Sequence, residues 1–116
     1  MIKVYGIKNC DTVKKTLAWL ITHQVQFEFI DFKLTPPDVN LLNNWSVQYG
    51  CLNMLNKKGT TWRKLSATQL TRIVDEKSAI ELIIDNPSVV KRPVITVNDK
   101  IKMVGFDANH LLQIVS

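Results

Sequence analysis

The sequence predicts an α/β protein with a mixed sheet, ordered strand–helix–strand, a helical block of about fifty residues, then strand–strand–helix. Three observations carry this reading. Residues 2–7 form a β-like run that leads into a helical stripe, and a second β-like run follows at 27–32. Positions 36–88 carry helix signals and no strand signal. Near the end, Val94-Ile95-Thr96-Val97 and Lys102-Met103-Val104 flank Asn98-Asp99-Lys100, a hairpin signature, with helix periodicity after it.

Each element has its own local reason. After the first strand, Val13, Leu17, Leu20 and Ile21 recur at i, i+4, i+7 and i+8, the stripe of a helix packed on a sheet. In the second strand Phe27 and Phe29 face the core, with Ile30 as a further candidate. Together these elements have the size of a βαβ unit, whose crossover is right-handed. Pro36-Pro37 opens a helix that presents Val39, Leu42, Trp45 and Tyr49, and Gly50 closes it. Gly59-Thr60-Thr61 marks a loop, and Trp62 is expected in the core seam beside the insert. Ser66 with Gln69, and Ser78 with Glu81, fit capping boxes that start two short helices. The second of these runs through Ala79, Ile80, Leu82, Ile83 and Ile84 and stops at Asn86-Pro87. Behind the hairpin, Gly105-Phe106 leads to Asp107 as a cap and to the stripe Leu111, Leu112, Val115. No repeat, low-complexity run or internal boundary divides the chain, so residues 1–116 are expected to form one domain with a helical insert at about 36–88.

An apolar fraction of 46% with 22% charged residues is that of an ordinary globular protein. No stretch approaches the ~20 apolar residues of a membrane span, and Met1-Ile2-Lys3 leads directly into a strand rather than a signal peptide. The expected compartment is cytoplasmic, where the two cysteines would not form a disulfide scaffold, and a monomer is the default. The net charge of +5 comes from dispersed basic pairs such as Lys14-Lys15, Lys57-Lys58, Arg63-Lys64 and Lys91-Arg92. Without a block of five or more, that pattern argues against nucleic acid, and a small anionic substrate explains it as well. His23 and His110 lack partners at ligand spacing, so neither a metal nor a bound cofactor is expected.

Cys10 is the candidate catalytic residue. It stands where the first strand hands over to the first helix, facing the unpaired N–H groups of the helix start. Such positions lower a thiol from roughly pKa 8.5 to about 3.5–7.5 and populate the nucleophilic thiolate at neutrality. The polar neighbours Asn9, Asp11 and Thr12 speak against a packed, inert thiol. Thr12 can donate its hydroxyl to the thiolate or serve the first turn of backbone, and Asn9 is expected to cap the helix. Cys51, after Gly50 at a helix end, reads as a packed thiol, with a resolving role as the alternative. Lys14 and Lys15 read mainly as solvated charge.

Beyond these signals, Tyr5-Gly6-Ile7-Lys8-Asn9-Cys10-Asp11-Thr12, Leu55-Asn56, Gly59-Thr60-Thr61-Trp62-Arg63-Lys64-Leu65, Lys91-Arg92-Pro93-Val94 and Val104-Gly105-Phe106 occur in that order over essentially the whole length. In this arrangement the chain resembles the ArsC/Spx family, and within it the YffB-like proteins. The resemblance implies a thioredoxin-like fold (βαβ…ββα, mixed sheet) with the helical insertion between its halves. It implies a nucleophilic Cys10, and a proline before the third strand, usually cis, packed beside it, which Pro93 matches. It also places Arg92 next to the thiol, where a guanidinium favours the thiolate and binds an oxyanion or carboxylate bidentately. Arg63 is a further candidate for substrate binding, with structural pairing to a carboxylate as its alternative.

Three functions follow from the resemblance. The first is a glutathione-dependent monothiol oxidoreductase, a thiol/disulfide reductase with glutathione as reducing co-substrate and a disulfide-containing protein or small disulfide as the oxidised partner. The second is an arsenate reductase coupled to glutathione and glutaredoxin. Family arsenate reductases surround the cysteine with three arginines; Arg92 matches one, whereas Asn56 and Gly105 stand where the others fall, which weakens this reading. The third is an Spx-type, non-catalytic regulator that binds RNA polymerase. It fits less well, because Val13 replaces the second cysteine of the Cys-x-x-Cys switch and the sequence stops at Ser116 without the longer tail.

Overall fold

A computed structural model describes residues 1–116 and orders the chain as four strands and six helices. The strands are β1 (Ile2–Gly6), β2 (Phe27–Asp31), β3 (Val94–Val97) and β4 (Lys100–Val104). The helices are α1 (Asp11–Thr22), α2 (Val39–Gln48), α3 (Thr60–Arg63), α4 (Ala67–Thr71), α5 (Glu76–Asp85) and α6 (Ala108–Val115). They divide between two compact units: Met1–Thr35 with Arg92–Ser116, and Pro36–Lys91.

The first unit holds the whole sheet, in the order β2-β1-β3-β4. β1 runs parallel to β2 and antiparallel to β3, and β3 and β4 form the antiparallel hairpin. At the tip, Asn98 (φ 51°) and Asp99 (φ 69°) are both left-handed, the pair a two-residue type I′ turn needs. A Lys3–Asp99 ion pair at 3.7 Å ties the tip to β1. Register sets Ile2 beside Phe27, Val4 beside Phe29 and Ile95, and Ile95 beside Met103. These side chains share one face, where α1 and α6 contribute Leu20 and Leu111, both fully buried, to a core of Val4, Ile95 and Met103.

The α1 stripe differs from expectation at its edge. Ile21 is 66% exposed, and Thr16 is buried instead, its hydroxyl donating to Thr12 O at 2.8 Å. At 100° per residue Ile21 lies roughly 80° round the helix from Val13, whereas Leu20 lies within about 20°. In α6 the same geometry exposes Leu112 and turns Ile114 and Val115 inward. Ile30 is half-buried and stands outside this cluster, while Phe27 and Phe29 pack against it.

The second unit is helical, with one exception to the expected absence of strands. Leu55 and Val90 form an isolated antiparallel bridge, flanked by Asn56 N–H to Val89 O and Lys91 N–H to Met54 O, both 2.7 Å. α2 begins after Pro36-Pro37, with Asp38 as its N-cap, and buries Leu42 and Trp45 while Val39 and Tyr49 stay exposed. Gly59 caps α3, a single turn where a loop was expected, and Trp62 on it is half-buried rather than core. The Ser66–Gln69 capping box starts α4 as read from the sequence. α5 starts earlier than expected: Asp75 is the N-cap and Ser78 is the returning member of the box.

Glu76, in the first turn of α5, organises this unit. Its carboxylate accepts from Ser46 Oγ (2.6 Å), Cys51 N–H (2.5 Å) and Leu52 N–H (3.1 Å). Burial pushes its pKa up, but the Ser46 hydroxyl and the Leu52 and Cys51 amides outweigh it and hold the carboxyl below the usual range. A carboxyl lowered in the folded state contributes stability above its unfolded pKa of about 4.3, and that contribution is lost as pH falls through the folded value. Glu76→Gln is therefore expected to cost about 2 kcal/mol in urea unfolding at pH 7. The gap to wild type should narrow below about pH 4. A gap that stays constant into acid would show that the charge is not what matters.

Candidate active site

Cys10 is the N-cap residue of α1, extended at φ −122° and ψ 120°, and its carbonyl accepts from Lys14 N–H at 2.9 Å, opening the helix. An N-cap side chain faces the N–H groups of the second and third helical residues, normally with an oxygen. Here a sulfur stands in that position without making a regular cap hydrogen bond, and the amides that act on it are those of Thr12 and Val13. The cap assignment corrects the expectation for Asn9, which is exposed one residue before the helix. The Thr12 backbone N–H lowers the pKa of the thiol.

Several forces compete on the thiol. Partial burial raises its pKa, and this is the largest single effect. Against it act the Val13 N–H, a hydrogen bond and the positive charge from Arg92, and the Thr12 N–H. Together they win, and the Cys10 thiol is held below its ordinary value. The Val13 amide, the strongest of the lowering contacts, was not singled out from the sequence; the signal for it was the N-cap position itself.

Two glycines bring these groups together. At Gly6 a Cβ would come within 2.7 Å of the Val13 side chain, so only glycine lets the end of β1 pass this close to α1. Gly105 is left-handed (φ 88°), and its N–H donates to Pro93 O at 2.8 Å, fastening the chain after β4 to the segment before β3. Pro93 is buried, and the Arg92–Pro93 peptide is cis. Arg92 is partly buried with its Nε out of solvent. Thus Cys10, Thr12, Asn9, Arg92 and Pro93 all belong to the first unit, whereas Arg63 is exposed on α3 of the second.

Cys51 has the opposite environment within the second unit. It is 0% exposed, and its Sγ donates to Leu42 O at 3.4 Å. Burial, reinforced by the Glu76 carboxylate, pushes its pKa up to about 11. It is a packed, protonated thiol at neutral pH.

The ArsC family model matches residues 5–114. The chain belongs to the ArsC family. A protein of Haemophilus influenzae is 40% identical to it over 107 residues, 92% of each chain. The global transcriptional regulator Spx of Streptococcus agalactiae is 31% identical, covering 96% of this chain and 80% of its own. Among solved structures, a YFFB protein superposes with a TM-score of 0.91 at 38% identity over all of both chains. An arsenate reductase (ArsC) related protein from Brucella melitensis gives a TM-score of 0.77 at 39% identity, covering 97% of this chain and 92% of its own. The mixed four-stranded sheet with its helices is the thioredoxin-like arrangement.

Labelling with iodoacetamide across a pH series is expected to give Cys10 a midpoint clearly below the roughly 8.5 of a free cysteine. Arg92→Ala should raise that midpoint, and Cys51 should stay unlabelled at neutral pH until the protein is unfolded. A Cys10 midpoint at or above the free value would remove the basis for thiolate chemistry.

Proposed function

We propose that this ArsC-family protein is a monothiol oxidoreductase that reduces disulfides with glutathione. Family membership and arsenate reductase-related neighbours support a thiol-reductase-like role. The observation that carries the finer reading is the contrast between the two cysteines: one thiol lowered at a helix start beside Arg92, the other sealed with its pKa near 11.

The chemistry at Cys10 proceeds by two exchanges. Cys10 thiolate attacks one sulfur of a disulfide, forming a mixed disulfide and expelling the other sulfur as a thiolate that takes a proton from solvent. No cysteine follows three residues on, since Val13 stands there, and Cys51 is neither ionised nor accessible. An external thiolate must therefore attack the substrate-side sulfur of the mixed disulfide, returning Cys10 as thiolate and leaving the substrate sulfur joined to the incoming thiol. A second external thiol, in a further exchange, frees the substrate sulfur as a thiol and ends with the first as their disulfide. Glutathione supplies such a thiol, and Arg92 offers its carboxylates a guanidinium fork. Arsenate is a poorer fit, because of the three arginines that the resemblance leads one to expect the sequence keeps only Arg92, with Asn56 and Gly105 at the other two positions.

The Spx relative favours a second reading, a partner-binding regulator. A dithiol switch of that kind needs a second reactive thiol, which Cys51 does not supply.

Cys10→Ser should reduce glutathione-coupled disulfide turnover to below about 1% of wild type while leaving the circular dichroism spectrum unchanged. Arg92→Lys retains the charge and loses the fork, and is expected to lower the rate by roughly ten- to a hundredfold, corresponding to about 1.5–3 kcal/mol. Full turnover by the serine variant would refute the nucleophile. Equal rates with glutathione and with free cysteine would refute the co-substrate.

A further inference from the structure

Within the second unit, positions 39–74 contain no aspartate or glutamate, yet they carry Lys57, Lys58, Arg63, Lys64 and Arg72. Four of these fall within positions 57–64, and all four are exposed. They are mounted on a fixed scaffold. Asn56 shapes the loop by accepting from Lys58 N–H with its side chain (3.3 Å) and from Gly59 N–H with its carbonyl (3.1 Å). Arg63 N–H donates to Gly59 O, and Lys64 N–H to Thr60 O and Thr61 O, each at 3.2 Å.

Local helix stability explains only half of this charge. Arg63 and Lys64 sit at the C-terminal end of α3, where cations are favoured. Lys57 and Lys58 precede its N-terminal end, where positive charge is disfavoured; the Trp62 ring beside Lys57 answers part of that charge, and no carboxylate nearby in sequence offsets it. Solubility alone asks for mixed signs, not for a one-sign patch.

We propose that Lys57, Lys58, Arg63 and Lys64 form a docking surface for an acidic segment of a partner protein. The four side chains are spread over an exposed loop and a helical turn, which suits several carboxylates along a chain better than a single small anion. Nucleic acid fits less well. Strands without sequence preference stack bases on open aromatic faces, and here the Lys57 ammonium lies 5.6 Å from the centre of the Trp62 ring and covers one face. The inference stands independently of the chemistry at Cys10.

The test uses the intact protein, a labelled oligoglutamate peptide as probe, and an oligothymidylate of equal charge for comparison. In a wild-type amide-shift titration the peptide is expected to move residues 57–64 most, with affinity falling as ionic strength rises. Replacing Lys57, Lys58, Arg63 and Lys64 together with glutamine should weaken the peptide about tenfold or more, whereas K100Q/K102Q, on the exposed edge of the sheet, should change it less than about twofold. Shifts centred elsewhere, an undiminished affinity in the quadruple variant, or no peptide binding at low salt would each overturn the proposal. Tighter binding of oligothymidylate would overturn it in favour of a nucleic-acid surface. Circular dichroism checks the fold of the quadruple variant; should it unfold, the wild-type shift map decides alone.

Discussion

The site is built around one thiol held partly out of water at the start of a helix, where its ionised form is favoured. Withdrawing the Cys10 sulfur from solvent opposes ionisation, and that opposition is the largest single influence on it. It is outweighed only because several separate donors converge: the Val13 and Thr12 amides at the start of α1, and the Arg92 side chain from the other end of the unit's sequence. Each depends on part of the fold. The amides are available because α1 begins at Asp11 with sulfur in the N-cap position. Arg92 is delivered by the segment before β3, which is anchored through the Gly105–Pro93 hydrogen bond. The central sheet pairing of β1 with β3 sets the two segments side by side, Tyr5 opposite Val94.

The two thiols show how far environment, rather than residue type, decides chemistry. Cys10 and Cys51 both follow a break in regular structure in the sequence. One meets backbone donors and a guanidinium; the other meets a backbone carbonyl and lies near a carboxylate, closed off from solvent. The first combination favours the anion and the second opposes it. Glu76 links this contrast to stability: the same carboxylate that fastens Ser46, Cys51 and Leu52 together also disfavours ionisation of the Cys51 thiol.

Much of this was legible in the residues where local chemistry acts alone. The hairpin at Asn98-Asp99-Lys100 (where the structure already places Lys100 in β4), the Ser66–Gln69 box and the strand-to-helix position of Cys10 are read from neighbours in sequence. What sequence reading missed involves choices between close local alternatives or contacts over long separations. Asp75 and Ser78 both make good caps, and the chain uses one as the N-cap and the other as its reciprocal partner. Ile21 satisfies the helical repeat on paper but falls outside the arc that the sheet covers. Glu76 looked like any surface glutamate, because its partners Ser46, Cys51 and Leu52 lie more than twenty positions away. Val13 contributes a main-chain group, to which side-chain identity gives no pointer.

Under the proposed mechanism, the donors around Cys10 act twice, with opposite demands. Lowering a thiol's pKa enlarges the thiolate fraction, but it also reduces the intrinsic nucleophilicity of each thiolate, with a Brønsted slope of about 0.4–0.5. The gain in attack therefore levels off once ionisation at neutral pH is nearly complete. Departure has no such ceiling, since a lower pKa makes Cys10 a better leaving group when glutathione attacks the mixed disulfide. A dithiol enzyme clears its own intermediate through a neighbouring cysteine. This chain has Val13 in that place and must wait for a thiol from solution. Strong stabilisation of the departing sulfur by Val13, Thr12 and Arg92 is thus most valuable in the second exchange, the step that a monothiol site cannot perform by itself.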